Sequence, residues 1–79
     1  MSRAEKTLEA MRANPLDWRI EELEAVARAF GLNVRKPSGS HVYFTHPIVA
    51  EGLSVPARRP IKPVYIRAFV RFVDRVRRA

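Results

Sequence analysis

Apolar side chains recur at spacings of three and four over Ile20, Leu23, Val26, Ala27 and Phe30, with Glu21, Glu22, Glu24 and Arg28 between them. That pattern predicts an amphipathic helix with acids in its first turns. Gly31 follows as a left-handed cap, and Leu32 is placed for the hydrophobic contact that accompanies such caps. The period then changes from near four to two. Leu32-Asn33-Val34-Arg35-Lys36 and His41-Val42-Tyr43-Phe44-Thr45 alternate apolar and polar, and Pro37-Ser38-Gly39-Ser40 between them has turn composition, which predicts a β-hairpin. Pro47 ends its second strand, a loop containing Glu51-Gly52 follows, and Leu53-Ser54-Val55 reads as a short third strand closed by Pro56. Pro63 suits the first turn of a last helix, in which Ile66, Phe69, Val70, Val73 and Val76 repeat at helical spacing. Upstream, Ser2-Arg3-Ala4-Glu5 reads as a capping box that opens a helix running to Ala13, and Asn14-Pro15 breaks it. With only Leu8 and Met11 as large apolar positions, that helix is too short to persist unless it lies on something else.

The expected order is α-α-β-β-β-α, an α+β fold with a small antiparallel sheet. Residues 1–14 read as an N-terminal helical appendage and 15–79 as a single domain. A chain of 79 residues supports one core, and its 47% apolar content is too high for a disordered basic tail. The absence of cysteine excludes disulfides, thiolate zinc sites and cysteine nucleophiles. With two histidines and no thiol, a zinc site would have to draw on carboxylates, so no metal is expected. No apolar run is long enough to span a membrane, and a soluble cytoplasmic protein is expected.

Charge changes the picture. The net charge is +7, but residues 1–31 carry five basic and six acidic side chains, whereas residues 32–79 carry ten basic ones against Glu51 and Asp74. Eight of those ten cations are Arg, which binds phosphate bidentately where a hydrated Lys does not. Such a half-domain attracts a polyanion, nucleic acid above all. Arg67, Arg71, Arg75 and Arg78 fall on one stripe of the last helix. The expected RNA-binding set is Arg35, Lys36, Gly39, Ser40, Arg58, Arg59, Lys62, Arg71 and Arg75.

Ser38-Gly39-Ser40-His41 sets an imidazole at the exit of a tight turn, at the start of a strand, in the basic half. Histidine titrates near pH 6.5, so it can take and return a proton at neutral pH, as transesterification of RNA requires at the 2′-hydroxyl and the 5′-oxygen. His46 lies five residues on, an odd number, so a regular strand turns it to the opposite face and it reads as a strand-end residue. Tyr43 and Thr45 share the face of His41, while Val42 and Phe44 face the helices. Trp18 and Tyr65 read as packing residues.

An α-β-β-β-α unit with Gly39-Ser40-His41 opening its second strand, Phe44 three residues on, Val55-Pro56 ending its third and a basic final helix resembles the HicA family of bacterial toxins. The resemblance covers about residues 20–77, and its specific part is the Gly-Ser-His triplet with its following Phe. It implies a fold related to the double-stranded RNA-binding domain, a toxin–antitoxin system, and an mRNA interferase that acts as a metal-independent endonuclease with His41 as catalytic residue. It also implies a HicB-type antitoxin as partner. Many members carry a His shortly after the Val-Pro pair, where this chain has Ala57-Arg58-Arg59.

Two other functions fit the same residues: a non-catalytic RNA-binding module of that fold, and a protein-interaction role in which the Arg stripe meets an acidic partner. His41 separates them, because a pure binder has little need of a histidine at a Gly turn.

Overall fold

The structure, a computed structural model, describes residues 2–79. Helix α1 spans Arg3–Ala13, α2 Ile20–Ala29 and α3 Pro63–Arg78, and strands β1, β2 and β3 span Asn33–Ser38, His41–His46 and Val49–Pro56. The order is the one expected. The strands form one antiparallel sheet in the order β1-β2-β3.

Local chemistry accounts for the helix ends. Ser2 Oγ accepts from the Glu5 amide and Glu5 Oε1 accepts from the Ser2 amide, closing the capping box of α1. At the end of α2, Gly31 has φ +78°, its amide donates to Arg28 O, and the Leu32 amide donates to Ala27 O at 2.9 Å. That pair of bonds is a Schellman cap, and Leu32 is buried behind it. Pro63 occupies the first turn of α3, where a missing N–H leaves nothing unpaired.

One face of the sheet is covered and the other is open. Val42, Phe44 and Val55 are buried against the helices, and the Phe44 and Phe69 rings meet at 5.1 Å between centroids. Asn33, Arg35, His41, Tyr43 and Ser54 are exposed on the opposite face. Helices α2 and α3 pack on the sheet through β1 and β3, and α1 lies across α2 and α3. Leu8 and Met11 are fully buried in the same core cluster, so α1, read from the sequence as an appendage, closes the outer side of the helix layer.

The third strand is longer than expected. It starts at Val49, because Pro47-Ile48 alone make the turn, and Glu51-Gly52, read as loop, lie inside the strand. An irregularity between Phe44 and His46 accommodates them, since Phe44 pairs with Leu53 but His46 with Val49.

Candidate functional site

His41 opens β2 opposite Pro56, the last residue of β3. The Ala57 amide donates to Ser40 O at 2.9 Å, which carries the ladder one step past the strand ends and brings Ala57-Arg58 alongside the Ser40-His41 turn. The segment that follows is held on its far side by the Ile61 amide, which donates to Trp18 O at 3.0 Å. Together these bonds frame a cleft of about 470 Å³ lined by Ser40, His41, Ala57, Arg58, Lys62 and Tyr65, with Pro56 and Pro60 completing its walls.

The imidazole is exposed and oriented. His41 Nδ1 lies 3.1 Å from Ser40 Oγ, which is itself 3.1 Å from Ser38 Oγ. The Ser38-Ser40-His41 chain fixes one ring nitrogen and leaves Nε2 free to meet a ligand. Among the described residues no carboxylate lines the cleft. Arg58 and Lys62 make no ion pair within 4.0 Å among the described residues, although Asp17 lines the adjoining depression that both share. A guanidinium and an ammonium without ion pairs, an imidazole and a phenol around one cleft can hold an anion and exchange a proton with it.

Of the residues expected to bind RNA, the fold gathers Ser40, Arg58 and Lys62 around His41 and leaves the rest apart. Gly39 forms the turn with Ser40, but its φ is not positive and a Cβ there would meet no atom within 4 Å. Arg59 points at Glu21, with 3.7 Å between Nη2 and Oε1. Lys36 is engaged by Glu24, at 2.9 Å, and that carboxylate is buried and also 3.5 Å from Arg28 Nη2. Arg35 stands on the open face of the sheet opposite Tyr43. Arg71 lies by a groove between α1 and α3 with Arg67 and Met11, and Arg75 continues that exposed stripe. The stripe is on the opposite side of α3 from the buried Ile66, Phe69 and Val73.

His46 does not follow simple strand parity: the ladder shifts register between Phe44 and His46, and the residue lines a depression with Asn33, Tyr43 and Thr45 of the open face. Its Nδ1 accepts the Ile48 amide at 3.1 Å, which pins the Pro47-Ile48 turn and keeps the ring out of the His41 cleft. Trp18 packs on the core and donates its indole N–H to Asn14 O at 2.7 Å. Tyr65, read as a packing residue, both packs on the core and lines the cleft. Its position two residues after Pro63 was the only sequence signal for that, since the first turn of α3 abuts the Arg58-to-Lys62 segment. Comparison with family models, with curated proteins and with solved structures gives no match for this chain.

Proposed function

We propose that this chain is a metal-independent endoribonuclease of the HicA type, a toxin that cleaves mRNA and is held inactive by a HicB-type antitoxin. The fold is read as related to the double-stranded RNA-binding domain, with α1 added. What carries the reading is the exposed, Ser40-oriented His41 in a cleft whose cations Arg58 and Lys62 make no ion pair among the described residues. His41 takes the proton of a ribose 2′-hydroxyl, the 2′-oxygen attacks the adjacent phosphorus, and the P–O5′ bond breaks to leave a 2′,3′-cyclic phosphate and a 5′-hydroxyl. Arg58 and Lys62 stabilise the extra negative charge of the phosphorane, which is greater than that of the ground-state diester. The departing 5′-oxygen takes its proton from Tyr65, a phenol donor that lines the same cleft.

The partner is expected on the same patch. An inhibitor presenting acidic or carbonyl groups gains steering and a desolvated contact by covering His41 together with at least one of Arg35, Lys36, Arg58 and Arg59. The test of the whole reading is cleavage of RNA by purified protein and by His41→Ala. Removal of one general acid or base is expected to cost about 10²–10⁴-fold in rate with the fold intact. Wild-type cleavage by the variant, or loss of cleavage in EDTA, would overturn the assignment.

A further inference from the structure

Tyr43 follows His41 by two residues on the same strand and the same face, about 6.6–6.8 Å along it at the usual rise per residue. Its ring reaches diagonally across β3, so that the phenol end lies over Gly52. A Cβ on Gly52 would stand 2.5 Å from both Cζ and the hydroxyl oxygen, so this contact exists only because residue 52 has no side chain. The phenol end of the ring therefore rests over the Gly52 backbone, while the residue stays 38% exposed. Beside it is a depression of about 350 Å³ lined also by Asn33, Thr45 and His46. Asn33 and Thr45 are direct partners in the ladder, which brings an amide and a hydroxyl to one place. Because His46 Nδ1 accepts from the Ile48 amide, the ring proton is on Nε2. Arg35, opposite Tyr43, makes no ion pair among the described residues.

We propose that this depression is a nucleobase subsite for single-stranded RNA, in which the base next to the phosphate held at His41 stacks on Tyr43. The proposal rests on the nuclease reading and adds to it the form of the substrate. An aromatic ring already anchored over the Gly52 backbone loses little freedom when a base covers it, and stacking of unpaired bases is how proteins hold single strands. Asn33, Thr45 and His46 supply donors and acceptors for the base edge, and Arg35 a cation for the next phosphate. A paired base has both faces occupied by its neighbours in the helix and cannot enter. The subsite therefore selects unpaired RNA.

The experiment uses the His41→Ala protein, so that RNA survives, and short RNA oligomers carrying 2-aminopurine at each position in turn. With Tyr43 or Tyr43→Phe, one position is expected to lose fluorescence on binding; with Tyr43→Leu, none is. Affinity for that oligomer falls about tenfold in Tyr43→Leu, within the range that one stacked base is worth. It is unchanged for an oligomer abasic at that position and for duplex RNA. Gly52→Ala, which lifts the ring from the sheet, gives the same loss and serves where Tyr43→Leu does not fold. Equal quenching and affinity in the Leu and Phe variants overturn the subsite and leave the nuclease standing. Failure of every variant to bind RNA, with no cleavage by the unaltered protein, overturns both.

Discussion

Arg12 on α1 and Asp74 on α3 meet as a two-bond pair, Nη1 to Oδ2 at 2.7 Å and Nη2 to Oδ1 at 2.8 Å. Glu9 holds the same guanidinium from its other side, with Nε to Oε1 at 3.0 Å. Arg77 adds a second tie, at 3.3 Å from Glu5, while its guanidinium lies 4.9 Å from the centre of the Phe30 ring. Glu5 of α1 thus neutralises one cation of the basic last helix, Asp74 of that helix neutralises Arg12 of α1, and the cations of the cleft and of the outer stripe make no ion pair among the described residues.

The hydrogen bonds from Arg12 hold the Asp74 carboxyl below the usual range, helped by the charges of Arg12, Arg78 and Arg77 and opposed by partial burial. The folded chain then binds that proton more weakly than the unfolded chain does. The pair's stabilisation is complete above the unfolded value, about 3.9, and is lost as pH falls through the lower folded value. Thermal melts are expected to weaken below about pH 4. Asp74→Asn should remove about 1 kcal/mol at neutral pH, a modest figure because the guanidinium is 43% exposed, and should flatten that acid limb.

Leu8 is fully buried although α1 has few apolar residues. Leu8→Ala is expected to cost about 2–5 kcal/mol. A core of this size supplies roughly 3–5 kcal/mol in total, so the variant should sit at the edge of unfolding at room temperature. Urea melts would detect it. A loss below about 0.5 kcal/mol, the size of an ordinary surface substitution, would mean that α1 is dispensable to the core.

Much of this frame was legible in the sequence, and the parts that were not have physical causes. The capping box at Ser2 and Glu5 and the cap at Gly31 depend on residues within a few positions of one another, which a linear reading captures; the face of His46 does not, because the ladder shifts register between Phe44 and His46 and brings that residue beside the depression of Tyr43 and Thr45. The strand through Glu51-Gly52 was hidden because glycine is a poor strand former, and only Tyr43, from another strand, gives Gly52 its reason. Lys36 reads as a free cation until the fold brings it to Glu24, and Tyr65 reads as core until its neighbour turns out to be His41's cleft.

Gly52 and Tyr43 should behave as a coupled pair. Gly52→Ala is expected to cost about 1 kcal/mol, the low end for overpacking, because the obstructing atoms are the far end of a side chain that can swing away. In a Tyr43→Leu background the same substitution should cost almost nothing. A double-mutant cycle from thermal melts measures the difference, and additivity would mean that the ring does not rest on residue 52.

Ser40 should act on catalysis through His41. With Ser40→Ala the imidazole loses the hydroxyl 3.1 Å from Nδ1, and RNA cleavage is expected to slow about tenfold, the equivalent of one neutral hydrogen bond. Ser40→Thr, which keeps the hydroxyl, should restore most of the rate. Binding of an uncleavable RNA should change little in either variant. A large fall in affinity with the rate of bound substrate unchanged would place Ser40 on the phosphate instead of on the imidazole.

The two groups of unpaired cations should separate by the length of the RNA. Arg58 and Lys62 line the cleft, whereas Arg71 and Arg75 lie on the far stripe of α3, so a short oligomer centred at His41 reaches only the first pair. Each phosphate neutralised on a single strand contributes about 0.7 to the slope of log affinity against log salt. Arg58→Ala with Lys62→Ala should therefore lower that slope by about 1.4 for short and long RNA alike. Arg71→Ala with Arg75→Ala should leave the slope for a short oligomer unchanged and lower it only for RNA long enough to pass around α3. A fall for the short oligomer on removing Arg71 and Arg75 would mean that RNA lies along α3, and the His41 cleft would then lose its claim to hold the scissile phosphate.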